Sequence, residues 1–228
     1  MNNNITTEYT SNHAIINLPH TKYLDKILRS NSYEELMWRF KDAESPSKEI
    51  TESYAAFSCM KKICQISNFN WLHIGDGGYT RTAAIFAFLS KTNNVSIDPA
   101  LNIDKFNKWL EKFSNRPIRG IIPIKKKFQD TILDDINLID WGDYETINSK
   151  PVNITCVHAH VNLEEVDTWY PYWYYLYTNP CCNPEKQTFS EQYMKDNNII
   201  KIMDKINLGI LSDKRQCVIY KNLNMFLK

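Results

Sequence analysis

The chain has 228 residues, 43% of them hydrophobic, and a formal net charge of +1. That length suits one domain with an N-terminal extension, and that apolar content supports a full core and argues against global disorder. The near-neutral balance excludes a protein that clamps phosphates over its whole surface, although a local basic patch is compatible with it.

No apolar run approaches the roughly 18 residues needed to span a bilayer, so no membrane partner is expected. Met1-Asn2-Asn3-Asn4 lacks the basic start and apolar run of a secretory signal, which makes the cytoplasm the expected compartment. The six cysteines fit this compartment as reduced thiols, and adjacent Cys181 and Cys182 are poor partners for an ordinary disulfide.

In chain order, the first dozen residues are polar and read as loose. Ser32-Tyr33-Glu34-Glu35 is a capping-box pattern that opens a helix through about Lys41. Ser45-Pro46 opens the next helix, whose buried stripe is Ile50, Tyr54, Phe57, Met60 and Ile63. Asn70 to Ile74 reads as a buried strand, followed by the glycine turn Gly75-Asp76-Gly77-Gly78 and a small-residue helix from Thr80 to Ser90. Asn94 to Asp98 is a second strand, so this stretch forms one βαβ unit.

Ile103, Phe106, Leu110 and Phe113 then mark an amphipathic helix. Further strands are expected at Ile118 to Ile124, Val152 to Val157 and Trp173 to Tyr177. A C-terminal hairpin is expected from Leu208 to Leu211 and Gln216 to Tyr220, flanking Ser212-Asp213-Lys214-Arg215. Residues 126–150 are acidic and carry no clear pattern. The expected division is a helical extension over residues 1–46 and one α/β domain over residues 47–228.

The glycine turn sits where a strand hands over to a helix. Glycine offers bare backbone and tolerates unusual torsions there, and the helix aims its N–H groups into the same cleft. Asp98 follows at the end of the next strand, where a carboxylate can accept bonds from both ribose hydroxyls. A plain βα turn with a surface Asp is the bland alternative.

A nicotinamide site wants a third glycine or alanine where Thr80 stands, and a second parallel half rather than a hairpin. Over roughly residues 48–222 the chain instead resembles class I S-adenosylmethionine (SAM) methyltransferases. The resemblance implies a Rossmann-like α/β fold: a mostly parallel sheet with an antiparallel C-terminal hairpin, preceded here by N-terminal helices. It implies SAM as cofactor. Gly75 and Gly77 match the first cofactor motif, Asp98 the ribose-binding acid, and Asp130 the residue that contacts adenine. His73 stands where the family usually has an acid, and Tyr79 replaces a common small residue at the methionine end. With Asp76, these seven residues make up the expected cofactor set.

After the fourth strand of that fold the chain reads His158-Ala159-His160, and after the fifth Pro180-Cys181-Cys182. Neighbouring strand ends bring such residues to one substrate mouth. The pairing resembles a methyltransferase-like group with a His-x-Cys and Pro-Cys-Cys pattern, with His160 in place of the first cysteine. His158 can act as general base or orienting group, with His160, Cys181 and Cys182 contacting substrate. The cluster can equally be structural. Zinc is the third reading, and adjacent cysteines are awkward partners for it, so no metal is assigned.

The Asn/Asp-Pro-Pro-Tyr/Phe signature of amino-group methylation is absent. The aromatic run Trp169 to Tyr177 reads mainly as core, and Lys125-Lys126-Lys127 as a solvated turn. The resemblance implies a methyl transferase whose acceptor is RNA, a small molecule or a protein. The alternative is a catalytically silent scaffold or regulatory subunit.

Overall fold

The computed structural model describes residues 7–10, 13–16, 21–90, 92–113, 120–131 and 151–226. The chain opens on an antiparallel hairpin of β1 (Thr7–Thr10) and β2 (His13–Ile16), where the polar composition had suggested loose chain. Tyr9, Ile15, Ile16 and the threonines are good strand formers. The N-terminal extension is therefore not helical throughout.

Three helices follow: α1 (Thr21–Leu28), α2 (Tyr33–Phe40) and α3 (Pro46–Ile63). Helix α2 starts where the capping-box pattern puts it, although the Ser32 side chain makes no capping bond.

The rest alternates. The elements are β3 (Asn70–Ile74), α4 (Arg81–Ser90), β4 (Asn94–Ile97), α5 (Ile103–Lys112), β5 (Ile121–Ile124), β6 (Val152–Val157), α6 (Leu163–Trp169), β7 (Trp173–Asn179), α7 (Glu191–Asp196), β8 (Ile199–Ile206) and β9 (Gln216–Asn222). Seven of the strands form one sheet in the order β5-β4-β3-β6-β7-β9-β8. All neighbours pair in parallel except β9, which runs antiparallel between β7 and β8. This is the Rossmann-like methyltransferase fold.

One expectation is corrected. The first strand of the C-terminal hairpin is β8, ending at Ile206, and not Leu208 to Leu211, which lie in the connecting loop. A register shift between Lys201 and Met203 breaks the two-residue alternation that would have marked β8 in the sequence. Strand β5 is described only from Ile121, and residues 114–119 and 132–150 lie outside the described part.

The central strands β3, β4 and β6 are buried on both faces. Trp71 packs with α3, α4 and α5 through Phe57, Phe86 and Trp109. Leu72 and Ile74 pack on the opposite face with Leu163 and Val166 of α6. The aromatic run is mostly core. A register shift against β6 puts Trp173 and Leu176 on the α6 face, while Tyr177 faces α3. No helix among the described residues is long and apolar enough to cross a membrane.

Leu176 is 0% exposed. Leu176→Ala is expected to cost about 2–5 kcal/mol, through lost burial plus a cavity. Leu208 is 57% exposed, and Leu208→Ala should change stability by less than about 0.5 kcal/mol. Urea unfolding midpoints check both.

Candidate active site at the strand ends

The sheet order reverses between β3 and β6, so the loops after β3 and β4 turn to one side and the loop after β6 to the other. Such a switch point opens a crevice beyond the carboxyl ends of the strands. A cavity of about 370 Å³ lies there, lined among others by Gly75, Asp98, Phe128, Gln129 and His160. That volume falls in the ordinary range for small-molecule sites. A larger cavity of about 580 Å³ beside Met37, Trp38 and Phe113 is lined by none of the strand-end loops.

Two glycines shape the loop after β3, both with φ of +70°. A Cβ on Gly75 would stand 2.6 Å from the Ala159 Cβ, so only glycine lets the loops after β3 and β6 touch. A Cβ on Gly77 would meet nothing within 4 Å, so Gly77 presents bare backbone to open space. Asp98 holds this loop from β4. The Gly77 N–H donates to Asp98 Oδ2 at 2.9 Å and the Ala100 N–H to Oδ1 at 2.7 Å. Each carboxylate oxygen keeps a second lone pair for a ligand hydroxyl.

Asp76 turns away from the cleft. Its carboxylate accepts the Thr82 and Ala83 N–H groups at 2.7 and 3.1 Å, and the Ser96 hydroxyl at 3.0 Å. It thereby satisfies the orphan donors at the start of α4. Arg39 of α2 supports the same turn, donating to Thr80 Oγ1 from Nη2 at 2.7 Å while its guanidinium lies 4.6 Å from the Trp109 ring centre. Burial lowers the Arg39 guanidinium to about 10, against the opposing pull of Asp76, so it stays charged at neutral pH. Nothing in the local sequence marked Arg39, because its partner lies 41 residues away.

His73 is also sealed from the cleft, at 0% exposure. Asn94 donates its amide N–H groups to the Thr92 and Gly120 carbonyls, which fixes Asn94 Oδ1 toward His73 Nε2 at 2.9 Å. The proton therefore sits on Nε2, and Nδ1 accepts from the Thr155 hydroxyl at 2.7 Å. Burial lowers the imidazole's pKa, outweighing the nearby Asp76 charge and the Asn94 bond, and keeps the ring neutral.

Tyr79 accepts from Lys105 Nζ at 2.8 Å, with Arg81 stacked 4.9 Å from its ring centre. Asp130 is exposed and does not line the cavity; its neighbours Phe128 and Gln129 do.

In the loop after β6, His160 lines the cavity and His158 does not. His158 has a φ of +51°, an unusual backbone for a non-glycine residue. Its Nε2 lies 2.8 Å from Oε1 of Glu52, which α3 holds at 3% exposure. Burial pushes the His158 pKa down, but the Glu52 hydrogen bond and charge outweigh it, so the net shift is upward. Glu52 escaped the sequence reading because it sits beside the apolar stripe of α3 without breaking it.

His160, Cys181 and Cys182 do converge. Cys182 Sγ is 3.4 Å from His160 Nε2 and 3.4 Å from Cys181 Sγ. Gln187, another residue the sequence did not flag, ties the two loops together by donating to the Ala159 carbonyl at 2.8 Å and accepting the Cys181 N–H. Burial raises the Cys181 thiol pKa, while bonds from Gln187 and Cys182 and the His158 charge lower it further, for a net downward shift. All six cysteines are free thiols.

No protein-family model matches the chain, and no curated protein matches it. Solved structures match in fold. A point mutant of MtNAS in complex with S-adenosylmethionine aligns with a TM-score of 0.50 and 10% identity, over 90% of this chain and 72% of that one. Magnesium protoporphyrin IX methyltransferase (ChlM) from Synechocystis PCC 6803 with bound SAM aligns with a TM-score of 0.50 and 9% identity, over 90% of this chain and 97% of that one. At such identities the likeness establishes the fold class, the Rossmann-like fold of class I methyltransferases.

Asp76→Ala is expected to destabilise the protein by about 1–2 kcal/mol, the cost of a lost helix cap, because the carboxylate caps α4. A thermal unfolding midpoint unchanged from wild type would contradict that structural role.

Proposed function

We propose that this protein is a SAM-dependent methyltransferase, with the cofactor lying between the Gly75–Gly78 loop and Asp98. The observation that carries the reading is the open side of Gly77 beside the Asp98 carboxylate, at the switch point of a methyltransferase sheet. The donor set fits the group. Asp98 has lone pairs for ribose hydroxyls, Phe128 offers a flat apolar wall for a base, and Gly77 leaves the loop backbone uncovered. Two solved proteins of this fold hold SAM, which adds support.

When bound, SAM supplies a sulfonium-activated methyl group. The protein's part is to hold acceptor and donor in line, exclude water and receive the acceptor's proton, and positioning of this kind accounts for much of the rate in bimolecular transfers. His158, locked by Glu52 at the acceptor side, is the residue proposed to orient the acceptor or take its proton. His160, Cys181 and Cys182 flank the same mouth and are proposed to contact it. His73, Asp76 and Tyr79 are proposed to shape the pocket from behind rather than to touch the cofactor, and Asp130 to stand outside it. The acceptor class, RNA, small molecule or protein, is open to assay.

A second reading has one observation in its favour. His73 replaces the usual acid with a neutral ring sealed in the sheet, which leaves one anchor fewer for the methionine end. This is the silent scaffold or regulatory subunit.

Thermal unfolding with SAM and with its demethylated product tests the cofactor reading. Ligand at about a hundred times its dissociation constant adds roughly 2.7 kcal/mol, which moves the midpoint by several degrees at this size. A saturable shift is expected for the wild type, and its loss in Asp98→Ala that still folds by circular dichroism. No shift at millimolar ligand refutes cofactor binding. A shift without methyl transfer to any RNA, protein or metabolite pool selects the scaffold.

A further inference from the structure

We propose that His160, Cys181 and Cys182 form a metal site for Zn²⁺ or a similarly thiophilic ion, with an open coordination position at the mouth of the strand-end cleft. The three side chains each offer one ligand atom, and these atoms all lie within 4.8 Å of one another. Among the described residues they are the one such cluster of His, Cys, Asp or Glu.

The spacing matches coordination geometry. Zinc sits about 2.3 Å from sulfur and about 2.0–2.1 Å from imidazole nitrogen, so tetrahedral ligands stand about 3.6–3.8 Å apart. The Cys181–Cys182 sulfur separation is 3.4 Å, and the Cys182 sulfur lies 3.4 Å from His160 Nε2. The third pair, Cys181 and His160, has its ligand atoms within 4.8 Å; a shift of up to about 1.2 Å, taken by the exposed His160, closes it to the same spacing.

Adjacent cysteines in a strand would point to opposite faces and could not share an ion. These two lie past the end of β7, between Pro180 and Asn183, where the chain leaves the strand and its thiols turn to one side.

Supporting contacts resemble those that orient metal ligands. Gln187 donates from Nε2 to Cys181 Sγ at 3.4 Å and to the Ala159 carbonyl at 2.8 Å, fixing one ligand against the loop that carries another. The donor set, two thiolates and one imidazole, suits zinc or copper(I) rather than magnesium or calcium. Binding would release the two thiol protons to solvent.

Three protein ligands leave a fourth position for water or an acceptor atom, the pattern of catalytic rather than structural zinc. His160 also lines the strand-end cavity, so that position adjoins the cleft. The site does not rest on the SAM reading, since the ligands stand together whatever fills the cleft.

The test is metal analysis of the full-length protein, loaded with excess zinc and passed over a desalting column. About one zinc per chain is expected for the wild type. His160 and Cys182 are exposed, so His160→Ala and Cys182→Ser should fold normally, with unchanged unfolding midpoints without metal. Each should bind zinc at least tenfold more weakly in competition with a chromophoric chelator. Cys64→Ser, at a half-buried thiol outside the cluster, should keep wild-type affinity. Cobalt loading should give a thiolate charge-transfer band that Cys182→Ser weakens.

Less than about half an equivalent of zinc in the wild type overturns the site. So does wild-type affinity in the His160→Ala, Cys182→Ser double variant. Zinc is measured without SAM and the thermal shift without zinc, so either proposal can fail while the other stands.

Discussion

The Asp98 carboxylate joins β4 to the glycine loop after β3, and the cleft depends on that junction. One oxygen takes the Gly77 N–H and the other the Ala100 N–H, so a single side chain sets the loops beyond two neighbouring strands. Gly75 adds a steric condition. Its Cα lies so close to Ala159 that any side chain would push the loop after β6 away. Three strand ends are thus fixed relative to one another by one carboxylate and one missing side chain. Asp76 and Arg39 brace the loop from behind, through the first turn of α4. The Asp76 carboxylate and the His73 ring are satisfied within the fold, which leaves the open side of Gly77, the spare lone pairs of Asp98 and the wall at Phe128 facing the proposed ligand space.

The other side of the strand ends, which reaches the cavity through His160, is built on a different principle. The loops after β6 and β7 carry His158, His160, Cys181 and Cys182, and they are linked by the side chain of Gln187 and by the Leu163 N–H bond to the Lys186 carbonyl. A buried carboxylate from α3, Glu52, reaches across the sheet end to His158. The N-terminal helices therefore act on the cleft through its supporting residues: α3 through Glu52 on His158 and α2 through Arg39 on Thr80. They form part of the site's support and not merely a cover for the sheet.

Much of this was legible in the sequence where the signal is local. The unit from Asn70 to Asp98 could be read because strand, glycine turn, helix and terminal acid are contiguous and each has its own pattern. The meeting of His160 with Cys181 and Cys182 followed from the expectation that neighbouring strand ends share a mouth. What could not be read depends on register and distance. His73 looked like a residue facing the cofactor, but its ring lies between β4 and β6, where Thr155 pairs directly with it and Asn94 reaches its other nitrogen. Asp76 sits within the glycine motif, yet the turn aims it at α4. Strand β8 was missed because a register shift erased its alternation. Arg39, Glu52 and Gln187 are ordinary polar residues in sequence, and only the tertiary contacts give them roles.

The proposed ligand site is the space between Gly77 and Asp98. Amide chemical shifts of isotopically labelled protein, titrated with the demethylated product of SAM, test it most directly. Saturable shifts are expected at Gly75, Gly77, Asp98 and Gln129, with small changes on the helical face around Met37 and Phe113. Saturable shifts confined to that helical face, or none at any ligand concentration, would contradict it.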